Sequence, residues 1–464
     1  VRRGEAVELQ AVHPPGWLVN AVHLAGRWPG VRELDAVVTH PVFLPDGTVL
    51  AAPGYDPGTR LLVAVPPGLA VPVPDNPTPA TARAAVGRLL DVVADFPFDT
   101  PAHRSAWVAA LLTPLAWFAF DGPAPLFLID GNVRGVGKGL LADVIALTLT
   151  GRRFPVTSYT GDREEMRKKV TSLAVEGERL VLLDNLAGAV GHDVLDMALT
   201  ADRWKDRLLG TNRVYDGPLH VCWYGTGNNV QLQADTARRV CHVRLETPDE
   251  RPEDKGGFRH PKLRRHVLAN RGRLLAAALT VLAAWHRASR PHRDLTPWGS
   301  YEGWSEVVRA AVVFAGLPDP GGTRLALQTQ ADRDAAALAA FMAAMERLDP
   351  HRRGVTAADL IDAARQAAGG PEAELRAAVE ELCGKLDGRA LGCRLRHFRR
   401  RTVGGRVLDQ AGTDRTHAAR WVVRPVGPAA TPSPAAGDAG DDGGGPAPAG
   451  GRLWADDRDQ MLPD

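Results

Sequence analysis

The chain has 464 residues, with 56 Lys and Arg against 54 Asp and Glu and a formal charge of +2. That balance excludes a binder that is basic over its whole surface, but not a local basic face. The length suits about three domains, with enough chain to bury a large core without disulfide or metal staples. The 48 glycines and 36 prolines exceed the usual share without reaching a low-complexity composition. Four cysteines, Cys222, Cys241, Cys383 and Cys393, form no C-x-x-C pair. This excludes a zinc ribbon or disulfide scaffold and favours a reducing, cytoplasmic setting. The longest apolar stretches, Val108–Phe120 and Leu274–Trp285, fall short of the ~20 residues a bilayer needs, so no membrane partner is expected.

Residues 1–78 read as a small β-containing accessory region. Short apolar runs at Val49–Ala52 and Leu61–Val65 stand between Pro- and Gly-rich turns. Residues 79–120 switch to helical spacing over Thr81–Ala94 and His103–Phe120, with Thr100-Pro101 as a helix start. Residues 121–250 alternate helices with the apolar strands Leu126–Ile129, Leu180–Leu183, His220–Gly225 and Val240–Leu245. That alternation predicts an α/β core with a mainly parallel sheet. Residues 251–348 are Ala- and Leu-rich and mostly helical. Residues 349–425 read as helix, helix and a hairpin around Gly404-Gly405. Residues 426–464 hold almost no large apolar side chain, which predicts a disordered tail.

The strongest motif is Gly131-Asn132-Val133-Arg134-Gly135-Val136-Gly137-Lys138-Gly139, set between the first strand and the helix Leu140–Leu149. Strand, glycine loop, lysine and helix is the context of a phosphate-binding loop. Its glycines turn backbone N–H groups toward phosphate oxygens, and the helix N-terminus adds partial positive charge. Gly135, Val136, Gly137, Lys138, Gly139 and Leu140 are therefore the candidate ATP contacts, with Lys138 reaching the β- and γ-phosphates. Asn132 stands where the motif has its first glycine. Gly139 stands where Ser or Thr would hold Mg²⁺. The apolar run Leu180–Leu183 ends in Asp184-Asn185. Asp184 is the candidate Mg²⁺ ligand, and Asn185 occupies the position where hydrolases carry a water-orienting Glu. An amide can position water but cannot take its proton. Asn228, at the end of another strand, can reach the γ-phosphate or the attacking water. Arg238 and Arg239 follow, as guanidiniums for the γ-phosphate of a neighbouring subunit. His220, Cys222, Cys241 and His242 alternate along strands without metal-site spacing and read as core.

In this order the motifs resemble the AAA+ ATPase part of the primase-helicase-like proteins of phages and integrating elements, related to superfamily 3 helicases. The resemblance covers roughly 20–425. It rests on residues 135–141, Leu182–Asn185, Trp204–Gly210, Thr226–Asn229 and Asp235–Arg239, with Pro53–Asp56 and Trp304–Arg309 outside the core. It implies a P-loop AAA+ core, a hexameric ATP-driven DNA helicase or translocase, Asn228 as sensor, and Arg238 or Arg239 as a finger acting in trans. Gly139 and Asn185 depart from the general pattern and favour an alternative, a replication initiator that uses bound ATP as a switch without hydrolysis. No primase half is visible in the 120 residues before the loop, so a primase that goes with this protein would be on another chain or lost from the front of this one.

Two stretches suit DNA. Asp202–Arg213 places Lys205, Arg207 and Arg213 around Trp204, where cations can neutralise phosphates and the indole can stack on a base or pack into the core. Arg389–Arg406 holds seven arginines and no acid. With two helices before it and a glycine hairpin within it, the region reads as a winged-helix-like module. The preceding helix, Glu372–Leu386, is acidic, so backbone contact by Arg399, Arg400 and Arg401 is expected in place of groove reading.

Overall fold

A computed structural model describes residues 2–3, 6–7, 12–26, 28–187, 189–210, 213–291, 295–366, 369–415 and 417–425. The tail expected at 426–464 lies outside them. At the centre is a five-stranded parallel sheet: β1 (Leu126–Gly131), β2 (Val156–Ser158), β3 (Leu180–Leu186), β4 (Cys222–Asn228) and β5 (Val240–Leu245). Their spatial order is β5-β1-β4-β3-β2. Strands buried on both faces need apolar residues at every position, which explains the unbroken run Leu126–Ile129. Phe127 and Ile129 enter one core, Leu126 and Leu128 the other.

The first face is covered by helices α1 (Pro79–Val92), α2 (Pro101–Leu115), α3 (Lys138–Thr150) and α5 (Arg271–Arg287). The second is covered by α4 (Arg163–Glu176) and the segment around Trp204. Helix α1 starts on a reciprocal cap, in which Thr78 and Thr81 hydroxyls accept each other's backbone N–H and Pro79 takes the first turn. Among the described residues no single helix is long and apolar enough to cross a membrane. The apolar stretch Leu274–Trp285 instead packs inside the first core.

The accessory region forms a three-stranded sheet, with Leu61–Val63 between Ala36–Val38 and Gly54–Asp56, around a small core of its own. Helix α6 (Gly322–Leu348) links the sheet to the C-terminal part. At its start the Thr323 hydroxyl accepts from the His242 N–H at 3.1 Å. Its second half supplies Leu338, Phe341 and Met342 to the C-terminal core. A domain border expected at 348 thus falls at the end of a helix shared between the two.

The C-terminal part holds α7 (Ala357–Arg365), α8 (Gly370–Cys383) and α9 (Gly388–His397), then the antiparallel pair β6 (Arg406–Thr413) and β7 (Ala419–Pro425). Helix α9 corrects the expectation that only two helices precede the hairpin. Its Asp387 cap, which accepts from the Ala390 N–H at 2.7 Å, starts a helix inside the basic stretch. All four cysteines are free thiols. Burial pushes Cys222 and Cys241 up to about 12. No cluster of metal-ligating side chains occurs among the described residues.

Candidate functional site

Strand β1 ends at Gly131, and residues 132–137 fold back over it before α3 begins. A Cβ at Gly131 would overlap the Val136 side chain, so this return requires glycine. Gly135 and Gly137 take left-handed φ angles of 79° and 97°, costly for any residue with a Cβ. The departure at Asn132 has a local reason. Its amide donates to Thr247 O at 2.6 Å and its Oδ1 accepts from the Thr247 N–H at 3.2 Å, tying the loop to the segment after β5.

Lys138 opens α3. Its ammonium donates to Val133 O at 3.0 Å and to Asn228 Oδ1 at 2.5 Å. Burial lowers its pKa, with Arg244 adding to the fall and the Asp130 carboxylate opposing it. Asn228 is the last residue of β4 and pairs in register with Gly131. On the other side of β4 lies β3 with Asp184. Thr226 bridges the strands: its hydroxyl donates to Asp184 Oδ1 and accepts from the Asn185 N–H, the latter at 3.1 Å. Asn185 has φ of 54° at a register shift in β3. Asn tolerates this left-handed backbone better than Glu does. A Cβ at Gly139 would meet nothing within 4 Å, so the missing hydroxyl at that position is not a matter of space.

Three residues near the loop give no signal in the sequence. Asp130, buried on β1, accepts from Arg244 Nη1 at 2.6 Å and from the Val230 N–H at 3.3 Å. His242 Nε2 stands 3.5 Å away, within ion-pair range but without a hydrogen bond. Burial pushes the Asp130 carboxyl up, but His242, Arg244 and the Val230 amide outweigh it and hold it below its ordinary value. Arg244 also donates to Asn229 Oδ1 at 2.8 Å. This arginine belongs to the same chain and the same sheet end as the loop. The third residue is Glu253, whose carboxylate lies against Gly135 so closely that a Cβ there would overlap it. A cavity of 540 Å³ adjoins the loop here, walled by Phe96, Val136, Leu140 and Phe258.

The two arginines after β4 sit elsewhere. Arg239 O accepts from the Leu126 N–H at 3.0 Å, at the beginning of β1. Gly131 is five residues further along, about 16 Å at ~3.3 Å per residue. The pair is also split by burial. Arg238 is 53% exposed and pairs with Asp235 at 2.7 Å. Arg239 is 11% exposed and is held by Asp235 at 2.8 Å and Asp196 at 3.7 Å.

In the first basic stretch, Arg203–Arg207 and Val214–Pro218 form an antiparallel hairpin. Trp204 is buried and donates to Thr171 Oγ1 at 3.0 Å, so it packs into the core and does not stack on a base. Lys205 is exposed and stands 3.4 Å from Asp216. Arg207 and Arg213 flank the hairpin tip and both make contacts within the chain. In the second stretch Arg399 and Arg400 are exposed, and Arg399 pairs with Asp409 at 3.3 Å. Arg401 lies over the Phe398 ring at 5.3 Å. Helix α9 adds Arg389 and Arg396, both exposed and two turns apart on one side.

No family model and no curated protein matches the chain. Among solved structures it is similar to the C-terminal region of NrS-1 in its apo A form. The TM-score is 0.33 and the identity 11%, over 80% of this chain and 84% of that one. At that score and identity the likeness carries no functional argument, and the function has to be read from the residues.

Proposed function

We propose that the chain binds ATP with Mg²⁺ at Gly135–Leu140 and hydrolyses it as the motor of a DNA-replication protein that works as a homo-oligomeric ring, with a hexamer as the expected size. The observation that carries this reading is a pair of contacts made by β4: its Asn228 accepts from Lys138 at the start of α3, and its Thr226 donates to Asp184 on β3. It brings a cation, an amide and a carboxylate to the C-terminal edge of a parallel sheet, where such sheets hold ligands. Lys138 would hold phosphates by charge, aided by the N–H groups of the glycine loop. Asn228 is suited to orient the γ-phosphate or a water. Asp184 is the carboxylate for Mg²⁺, an ion that takes few protein ligands because phosphates and water supply the rest. When bound, the ion neutralises charge on the transferred phosphoryl group. The cavity beside Val136 and Leu140 is of a size for a nucleoside. The strand order and the helices on both faces agree with an AAA+ core. Helix α9 with the antiparallel strands after it agrees with a winged-helix reading, and its arginines favour DNA contact by this helix in addition to the hairpin.

Phosphate release measured with and without single-stranded DNA tests the proposal. Release stimulated by DNA and lost in Lys138→Ala supports it. The second reading, a non-hydrolysing ATP switch, is favoured by Gly139 and by Asn185, whose left-handed backbone disfavours the Glu of a hydrolase. It predicts ATP-dependent assembly by native mass with no phosphate release.

A further inference from the structure

We infer that a second anion site, separate from the glycine loop, lies at the opposite end of the sheet around Arg179 and Arg152 and takes a phosphate-bearing ligand. Arg179 immediately precedes β3, at the start of the strand whose far end carries Asp184. Its guanidinium stacks on the Phe118 ring at 4.6 Å. Stacking satisfies the face of a guanidinium and leaves its N–H edge for an in-plane acceptor. Its Nη2 is buried and has no hydrogen-bond partner among the described residues. Burial pushes its pKa down to about 10. The residue is half-buried, and a buried guanidinium nitrogen without an acceptor is uncommon because desolvating it is costly unless it is paired.

The surroundings of Arg179 are those of a site. It lines a cavity of 510 Å³ together with Arg152, Arg153, His40 and Glu178. Arg153 is already committed to Asp143, at 3.0 Å. His40 is held down to about 4 by burial, so at neutral pH it is an uncharged hydrogen-bonding group. Arg152 is exposed, and its side chain makes no ion pair among the described residues. Two guanidiniums therefore face the cavity against the single carboxylate of Glu178. Guanidinium forks match phosphate oxygens, and a phosphate monoester carries close to two negative charges at neutral pH. A monocarboxylate would leave one of the two cations unanswered. The walls come from both the accessory region (Val37, Ala64) and the central core (Phe154, Leu180), so a ligand here would bridge the two.

The test is calorimetric titration of the full chain carrying Lys138→Ala, which silences the glycine loop, with inorganic pyrophosphate. One equivalent should bind, and adding Arg152→Ala should weaken it at least about tenfold. Arg152 is exposed, so its loss leaves the fold intact. Arg179→Gln should give the same loss, with circular dichroism as the check on folding. A 5′-phosphorylated oligothymidylate that displaces pyrophosphate, where its unphosphorylated form does not, would identify the source as a nucleic-acid terminal phosphate. Failure to displace it would identify a free phosphorylated molecule. No pyrophosphate binding, or binding indifferent to Arg152→Ala, overturns the proposal. Because the readout depends on Arg152, it stands or falls independently of the ATP site.

Discussion

Arg238 and Arg239 are adjacent in sequence but make opposite predictions. Arg239→Ala removes a guanidinium that is 11% exposed and strands Asp196, which is 10% exposed. Breaking a buried pair by removing one partner costs about 3–5 kcal/mol. Asp235, the nearer partner, is 58% exposed, and solvent screens that share. Asp196 keeps the Thr236 hydroxyl at 2.7 Å. The expected loss therefore falls below that range, at about 2–3 kcal/mol. Arg238→Ala removes only an exposed pair one turn apart on the chain, with about 0.5 kcal/mol or less at stake. Its effect should appear in turnover. At about 16 Å of strand from Gly131, neither arginine reaches its own loop, so a contribution to catalysis has to come from a neighbour. Fingers of this kind contribute 10³–10⁵ in rate elsewhere. At least about a tenfold fall is expected for Arg238→Ala, with ATP affinity little changed. The assays are urea unfolding of each variant and steady-state phosphate release at saturating ATP. Mixing Arg238→Ala with Lys138→Ala subunits should restore part of the turnover, since each supplies what the other lacks. Full turnover by Arg238→Ala, in a preparation that hydrolyses ATP, would refute the finger. Arg239→Ala as stable as the parent would refute the structural role.

Three further outcomes are expected. Asn185→Glu should lower stability by about 1 kcal/mol because of its left-handed backbone, while Asn185→Gly should not. Equal unfolding midpoints for the two variants would contradict this. Glu253→Gln should raise ADP affinity about tenfold, since a carboxylate against Gly135 opposes an incoming phosphate charge about 4 Å away by ~1–4 kcal/mol at an effective dielectric between 20 and 80. Unchanged affinity in a fluorescence titration would show that Glu253 does not guard the loop. The Asp130 carboxyl titrates below its ordinary value when folded, so its contribution is present above the unfolded pKa, about 3.9, and is lost as pH falls through the folded one. Asp130→Asn should therefore lose less stability than the parent between pH 5 and the acid limit. Parallel urea midpoints over that range would remove Asp130 from the acid response.

The parts of the fold that depend on local pattern could be read from the residues. The apolar run Leu126–Ile129, the Gly135 and Gly137 turns and the capped start of α1 each follow from short-range rules. What escaped depends on pairing over long sequence distances. Arg244 looks like a charged strand end until β5 aligns in register beside β1 and sets it against Asp130. The 203–218 hairpin pairs residues across a tip whose strands lack clean apolar alternation, so its sequence resembles a loop or helix end. Helix α9 was hidden by Gly388, Gly392 and a run of arginines, all of which suggested an irregular basic segment. Glu253 approaches Gly135 from a segment more than a hundred residues away, and no local signal predicts that contact.

The most direct test of nucleotide binding at the glycine loop is equilibrium titration of a non-hydrolysable ATP analogue with Mg²⁺ into the full chain and into Lys138→Ala. Lys138 is the cation that meets the phosphates, and removing it should cost about 3 kcal/mol, which is roughly a hundredfold in affinity. One nucleotide per chain is expected for the parent, and binding weaker by that factor for the variant. Equal affinities, or no binding by the parent, would contradict a phosphate-binding role for the loop.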